Sequence, residues 1–159
     1  MFSIFKRNTA PKRRFTHLQI FTIEVPESRR QNDNRKYLTL SDPAGVAAVT
    51  GNAFAKKEGG SLTDFAESRF GAVAEMEFYS QTGDESRLRV NGHDFIIREY
   101  QGTWPEETEP TYHVVACGEL DRAYVSMTVT TSPEDFQTNK KLYLEILTSA
   151  ESASGSVRS

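Results

Sequence analysis

Two short segments in the second half of the chain do not alternate between apolar and polar residues. Phe95-Ile96-Ile97 and His113-Val114-Val115-Ala116-Cys117 place apolar side chains at both odd and even positions. Because successive side chains of a β-strand point to opposite faces of the sheet, strands of this kind need apolar cover on both faces. The sequence therefore predicts a sheet with helices on both faces.

Turn-forming residues divide much of the remaining sequence into antiparallel hairpins. Asn91-Gly92 is the strongest of these signals, because both residues tolerate the positive φ of a two-residue turn. Asp42-Pro43-Ala44-Gly45 also has turn composition, since proline presets the turn and glycine accepts positive φ. The predicted hairpins are Tyr37–Ser41 with Val46–Phe54, Arg87–Val90 with His93–Tyr100, and Tyr112–Glu119 with Ala123–Thr131. The last strand is predicted to point Ala123, Val125, Met127 and Val129 inward and Tyr124, Ser126, Thr128 and Thr130 outward.

Two amphipathic helices are predicted, and each begins after a serine. Ser61 is placed to accept a hydrogen bond from the third helical amide, and Asp64 occupies the acidic position of a capping box. Ser132 precedes Pro133, and proline is favoured at the first helical position. The apolar stripes are Leu62, Phe65, Ala66, Phe70, Ala72, Val73 and Met76 in the first helix, and Phe136, Leu142, Tyr143, Ile146, Leu147 and Ala150 in the second.

The predicted organisation is one domain between two tails. Residues 1–15 are predicted to be a flexible basic lead, 16–150 a single domain, and 151–159 a disordered tail of small polar residues. The first strand is predicted over Thr16–Val25, where a change of alternation indicates a bulge or a strand covered on both faces. Residues 27–35 and 77–85 are predicted to be connections. The predicted fold class is α+β, with a mostly antiparallel sheet of about seven strands between helices, an α/β/α sandwich.

Composition excludes several classes of protein. The 159 residues include ten Phe and six Tyr, which need a core and therefore exclude a disordered chain. No apolar run approaches the ~20 residues of a membrane-spanning helix, so no membrane span is expected. The first residues lack the apolar stretch of a secretory signal, and the single cysteine, Cys117, excludes an intramolecular disulfide. A cytoplasmic location is therefore expected.

The charge is unevenly distributed along the chain. Residues 1–36 hold nine Lys and Arg against three acidic residues, a charge of +6, so the total of −3 leaves −9 for the remainder. A basic segment is typical of binding to nucleic acid or to an acidic membrane surface. No aromatic residues interleave with the basic ones as a stacking platform requires. We therefore expect solvated basic residues and no nucleic-acid partner.

No catalytic or metal-binding motif is evident. His113 and Cys117 are four residues apart on one predicted strand, about 13 Å at ~3.3 Å per residue, which is beyond the reach of a nucleophile and its base. The three histidines are scattered, and the acidic pair Asp84-Glu85 and the loop glutamates lack the spacing of a calcium loop. The sequence therefore predicts a non-enzyme with no catalytic residues, no metal and no cofactor.

The order of the elements supports a family resemblance. The residues that carry it are Phe21–Pro26, then Tyr37–Ser41 with the turn at Asp42-Pro43-Ala44-Gly45, the helix Ser61–Met76, and the closing segment Phe136–Leu147. Over about residues 16–150 the chain resembles the PsbP/Mog-type fold family, which includes photosystem-associated PsbP proteins, Ran-binding Mog proteins and Eag-type effector chaperones. It departs from the family's common opening, because Ser28-Arg29-Arg30 follows the first strand where an aromatic residue often lies. The resemblance implies an α+β fold whose members mostly hold other proteins.

Elimination and resemblance together predict a non-enzymatic cytoplasmic protein-binding module. Within that class, the resemblance implies a bacterial immunity protein or a chaperone for a secreted effector or toxin. The expected partner is another protein of basic character, attracted by the acidic body of the chain. The alternative is a small-ligand-binding protein or an unrecognised enzyme with a pocket between sheet and helix that involves Arg69 or His113. The partner's identity and the oligomeric state stay open at this point.

Five residues are predicted to contact a partner: Trp104, Glu106, Glu107, Glu109 and Arg69. Trp104 lies in the loop between two predicted strands and is either tucked onto the core or presented to a partner as an anchor beside the three glutamates. Arg69 interrupts the apolar stripe of the first helix. Arg69 is therefore predicted to pair with a buried carboxylate, to extend its charged head to the sheet edge, or to bind a partner.

Overall fold

The structure, a computed structural model, describes residues 47–151 with their side chains. Outside that range it describes the backbone of five strand segments only: Lys12–His17, Phe21–Pro26, Arg30–Asp33, Leu38–Ser41 and Ser152. The predicted turn at 42–45 and the remainder of the basic lead and of the tail lie outside the described residues.

The described residues form ten strands and two helices. The strands are β1 (Lys12–His17), β2 (Phe21–Pro26), β3 (Arg30–Asp33), β4 (Leu38–Ser41), β5 (Ala48–Ala55), β6 (Tyr79–Val90), β7 (His93–Gly102), β8 (Thr111–Glu119), β9 (Ala123–Thr131) and β10 (Glu151–Ser152). The helices are α1 (Leu62–Ala74), between β5 and β6, and α2 (Pro133–Leu147), between β9 and β10.

Most of the strands form one antiparallel sheet with the order β3-β4-β5-β9-β8-β7-β6. The hairpins predicted from turn composition all form, as β4 with β5, β6 with β7, and β8 with β9. Asn91 and Gly92 have φ of 53° and 81°, as a two-residue hairpin turn requires. The prediction of an α+β fold with an antiparallel sheet is therefore confirmed.

The core has two clusters that meet at the central strands. Val114 packs with Phe136 and Leu147 of α2, whereas the next residue, Val115, packs with Phe70 of α1. Neighbouring side chains of a strand point to opposite faces, so α1 and α2 contact opposite faces of β8. Each fully buried aromatic or aliphatic side chain contributes about 1.5–3 kcal/mol to folding, so the two faces share the stabilisation.

Both helices begin where the serines predicted them to begin. The Ser61 hydroxyl accepts a hydrogen bond from the Asp64 amide at 3.1 Å, and the Ser132 hydroxyl accepts one from the Asp135 amide at 3.1 Å. Each serine thereby pairs an amide in the first turn that has no partner inside the helix.

The single strand predicted over Thr16–Val25 is wrong. The chain forms two strands there, and β1 pairs antiparallel with β2, with His17 opposite Phe21. The change of alternation in this segment therefore marks a reversal of the chain and not a bulge. β2 also pairs with β10, so β1, β2 and β10 form a separate three-stranded sheet. β1 begins inside the predicted lead and β10 lies inside the predicted tail, while β3 occupies part of the predicted 27–35 connection.

Two further predictions are corrected. Residues 79–85 belong to strand β6 rather than to a connection, with a register shift between Thr82 and Ser86 where Gly83 has φ of 74°. Tyr124 and Ser126 were expected to point outward into solvent, yet their exposed fractions are 5% and 4%. They point away from α2 but lie on the face that α1 covers, where Phe65 stacks on Tyr124 with ring centroids 4.9 Å apart.

Candidate functional site

Trp104 lies in the connection between β7 and β8 and is held against the fold while remaining accessible. Its side chain is 45% exposed. The indole Nε1 donates a hydrogen bond to the Tyr79 hydroxyl at 3.1 Å, and the ring packs on Phe78 with a centroid distance of 4.8 Å. One edge of the indole therefore rests on the core while the remainder faces solvent.

The connection that carries Trp104 lies tightly against the connection between α1 and β6. An added Cβ at Gly102 would be 1.8 Å from the Phe78 carbonyl oxygen, so a larger residue does not fit between them. The Tyr79 amide donates to the Met76 carbonyl at 2.9 Å, and the Glu107 amide donates to the Trp104 carbonyl at 2.9 Å. Both connections are therefore compact turns that contact each other through Gly102, Phe78 and Trp104.

Together the two connections present apolar and acidic residues. Met76 is 42% exposed, and Phe78 is half-buried under the indole. Neither connection contains a lysine or an arginine. The exposed acidic residues in the two connections are Glu75, Glu77, Glu106, Glu107 and Glu109. We call the surface formed by Met76, Phe78, Trp104 and these five glutamates the Trp104 surface.

Packed aromatic groups support this surface from behind. The Tyr79 ring stacks on the His113 ring at 5.1 Å, and His113 Nδ1 lies 2.9 Å from the Thr130 hydroxyl. Burial lowers the pKa of His113 to about 4, so the imidazole is neutral at pH 7. Burial also raises the pKa of the Tyr79 hydroxyl above 10.0, although its hydrogen bond with Trp104 acts in the opposite direction. Neutral, packed rings therefore fix the orientation of the indole.

Arg69 does not join the other four candidate residues. Its guanidinium carbon lies 4.8 Å from the centroid of the Phe54 ring on β5. Trp104 follows the end of β7, where Gly102 pairs with Thr111 at the start of β8, whereas Phe54 pairs with Tyr124 and Tyr124 pairs with Glu119, eight residues further along β8. Eight residues of strand span about 26 Å. The predicted ion pair of Arg69 with a buried carboxylate is not formed among the described residues.

The Cys117 thiol, a further reactive group, is buried in the cluster that packs against α1. Burial raises the pKa of the Cys117 thiol to about 12, and Ser126 hydrogen-bonds to it. Over residues 47–151 no group of three or more His, Cys, Asp or Glu is placed to hold a metal ion. A groove of about 490 Å³ between β6 and α2 is lined by Leu88, Lys140 and Leu144, and it includes neither Arg69 nor His113. No described helix has the length and apolar character to cross a membrane.

The sequence did not point to the second connection of the Trp104 surface. The sequence pattern predicts Met76 as the last member of a helical stripe, and Phe78 lies in a stretch predicted only as a connection. The signal that was available is the alternation of acidic and apolar residues in Glu75-Met76-Glu77-Phe78 directly after the helix. Its contact with Trp104 depends on strand pairing between β6 and β7, which brings Tyr79 opposite Gly102.

Comparison with known proteins identifies the fold. No protein-family model matches the chain, and no curated protein matches it in sequence. Among solved structures, the cyanobacterial PsbP of Synechocystis sp. PCC 6803 is similar over 90% of this chain and 93% of its own, with a TM-score of 0.69 and 12% identity. The Ran-binding protein Mog1p of Saccharomyces cerevisiae matches over 91% and 96%, with a TM-score of 0.62 and 10% identity. A protein of unknown function from Pseudomonas aeruginosa, PA94, matches over 86% and 94%, with a TM-score of 0.53 and 17% identity.

Structural similarity at identities this low establishes the fold and leaves the subfamily undetermined. Two of these structures are a PsbP protein and a Mog protein, and each is matched over nearly its whole length. The antiparallel sheet with its two helices is therefore a PsbP/Mog-type fold, as the order of the sequence elements indicated.

Proposed function

We propose that this chain is a non-enzymatic protein-binding module whose contact site is the Trp104 surface. The observation that carries the proposal is the state of Trp104 itself, a 45% exposed indole that is hydrogen-bonded to Tyr79 and therefore fixed in orientation. A large aromatic side chain that is ordered before binding loses little entropy when a partner covers it. Tryptophan is also among the residues that most often dominate binding energy at protein interfaces.

The charge around the indole indicates the chemistry of the partner. Five glutamates and no basic residue lie in the two connections that form the surface. A basic segment of a protein is complementary to such a surface, and the carboxylates would accelerate its approach and fix its register. We therefore propose a partner that presents Lys or Arg residues around an apolar pocket for Trp104.

The fold supports a binding role by analogy. Mog1p is described as a Ran-binding protein, which is a property of that protein and shows only that this fold is compatible with holding another protein. We propose further that the chain is a cytoplasmic accessory protein in bacteria, either an immunity protein or a chaperone for a secreted effector. This further proposal rests on the family resemblance and on the acidic body of the chain, which suits a basic toxin.

The test is a binding comparison between matched variants. A pull-down from the native host identifies a partner, and affinity is then measured for the wild type, Trp104→Ala and Leu88→Ala. Leu88 is the matched control because its exposed fraction, 40%, is close to that of Trp104 and it lies on a different part of the surface. The proposal expects Trp104→Ala alone to lose the partner. Recovery of no stable protein partner, or equal binding by all three proteins, contradicts it.

A further inference from the structure

Arg69 is a half-buried cation without an acidic partner among the described residues. It lies on α1 one turn after Phe65, and both side chains contact Phe54, with the Phe65 and Phe54 ring centroids 5.2 Å apart. The Arg69 Nε is buried and has no hydrogen-bond partner, while its two terminal nitrogens have no partner among the described residues and remain accessible. The guanidinium therefore keeps hydrogen-bonding capacity that no described residue uses.

The sheet surface beside Arg69 is polar. Val49 of β5 and Val125 and Met127 of β9 belong to the cluster under α2. The alternate residues of both strands therefore point to the α1 face. The register then places two polar pairs side by side on that face, Asn52 opposite Ser126 and Thr50 opposite Thr128.

Three of these four polar residues are open to solvent on the β5 side, whereas Ser126 is buried. α1 packs on β6, β7, β8 and β9, and β5 lies at its margin. Thr50, Asn52 and Thr128 are accordingly only half-buried. The Asn52 amide makes no hydrogen bond with a described residue, whereas the hydroxyls of Thr50 and Thr128 bond to each other.

The ring that the guanidinium covers places Arg69 on the sheet. It lies over Phe54, which is two residues from Asn52 on the same face of β5. Phe54 is paired with Tyr124 of β9, and the neighbouring row on the same face is Asn52 paired with Ser126, which is paired with Cys117. Arg69 therefore stands beside the row Asn52–Ser126–Cys117, with donor groups of Asn52 and the hydroxyls within the same corner between α1 and the sheet.

Two carboxylates on the flanking elements are already engaged by other cations. Glu67, on the same helix, pairs with Arg98 at 3.1 Å. Glu119, on the same face of β8 as Cys117, pairs with Lys56 at 2.9 Å. Arg69 is thus left with its charge uncompensated by these groups, in a corner lined by neutral donors.

We propose that this corner binds the oxyanion of a small ligand, a carboxylate or a phosphate, with the terminal nitrogens of Arg69 as the principal donors and the Asn52 amide as a second donor. Guanidinium presents two parallel N–H groups that match the geometry of both oxyanions. The site is distinct from the Trp104 surface and does not depend on the protein-binding role.

The test follows the arginine side chain directly in the full ¹⁵N-labelled chain. Sodium phosphate and sodium acetate are titrated separately, and sodium chloride at matched ionic strength gives the baseline. The Nε–Hε signal that disappears in Arg69→Gln is assigned to Arg69. We expect this signal and the Asn52 side-chain amide signals to shift saturably with phosphate, with acetate or with both. The anion that produces the shift identifies the ligand class.

Three variants complete the test. Arg69→Gln is expected to weaken anion binding at least about tenfold, the loss typical of a charge-assisted hydrogen bond. Arg122→Gln removes the same charge from an exposed position in the β8–β9 turn and should leave binding unchanged. Asn52→Ala keeps Arg69 and should weaken binding several-fold, which preserves the test if Arg69→Gln unfolds. Shifts with phosphate and acetate that are no larger than those with chloride overturn the proposal. Equal anion binding by the wild type, Asn52→Ala and Arg69→Gln also overturns it.

Discussion

The indole Nε1 of Trp104 donates to the hydroxyl of Tyr79 at 3.1 Å, and this bond joins an exposed side chain to a buried one. Tyr79 is only 6% exposed and stacks in turn on His113. The orientation of the exposed indole is therefore determined by the packed rings of Tyr79 and His113. A side chain fixed in this way loses less conformational freedom on binding than a mobile one does.

Removal of the indole is expected to separate binding from folding. Trp104→Ala should weaken affinity for the partner by about 2 kcal/mol or more, because the anchor of the contact is lost. The fold should remain intact, since almost half of the side chain is already in solvent. Melting temperature and affinity are measured on the same sample. A destabilised protein with normal residual affinity would show that Trp104 serves only the core.

Charge reversal at Glu106 is expected to act mainly on the rate of association. Glu106→Lys places a positive charge in an acidic surface, so a basic partner should bind more slowly and its association rate should depend less on salt. Glu145→Lys is the matched control, because Glu145 is also exposed but lies on α2. Stopped-flow or surface-based kinetics at two salt concentrations distinguish the variants. Equal rates for both would argue against steering by the Trp104 surface.

The cap of α2 gives a direct test of local stability. Ser132→Ala should lower the free energy of unfolding by about 1 kcal/mol, because the Asp135 amide loses its acceptor. Ser61→Ala removes the equivalent bond at α1 and should have an effect of similar size. Denaturant titration provides the values. An unchanged unfolding midpoint for Ser132→Ala would mean that this serine does not cap the helix in solution.

Truncation in β9 tests the packing under α2. Val125 and Met127 are both 0% exposed, so Val125→Ala or Met127→Ala should cost roughly 2–4 kcal/mol of unfolding free energy. Val90→Ala is the control, because Val90 is only partly buried at the end of β6 and should cost clearly less. A cost below about 0.5 kcal/mol for Val125 would contradict its placement in the core.

His113 predicts how stability changes with pH. Burial lowers its pKa from the ordinary 6.5 to about 4, so between these values the unfolded chain binds more protons than the folded one. The contribution is therefore complete above about pH 6.5 and is lost as the pH falls toward 4, by up to about 3 kcal/mol. Unfolding free energies of wild type and His113→Gln are compared at pH 7, 5 and 4. Parallel curves for the two proteins would refute a lowered pKa of His113, since the carboxyl groups titrate equally in both.

The features that the sequence predicted correctly depend on neighbours in the chain. A hairpin turn such as Asn91-Gly92 and a cap such as Ser61 are specified by residues within a few positions, so local chemistry is sufficient to locate them. Both-parity apolar segments such as Phe95-Ile96-Ile97 also report directly on their surroundings, and all three residues are buried. The PsbP/Mog-type fold follows from the order of such elements.

The features that it missed depend on distant pairings. The first half of β6 is polar and lies at the edge of the sheet, so Tyr79–Glu85 shows neither alternation nor an apolar run. Tyr124 is buried because α1 covers that face of β9, which the sequence of β9 does not indicate. The contact between Phe78 and Trp104 likewise depends on the register of β6 with β7. No local pattern encodes these contacts.

The small sheet has a consequence for the order in which the protein is completed. Ser152 pairs with Phe21, 131 positions earlier in the chain, and Glu151 pairs with Thr22. During synthesis on the ribosome, β1 and β2 are made early, but β2 cannot pair with β10 until residues 27–150 have been made. Proteolytic trimming that reaches residue 151 would therefore remove a strand from a finished sheet and release the edge of β2.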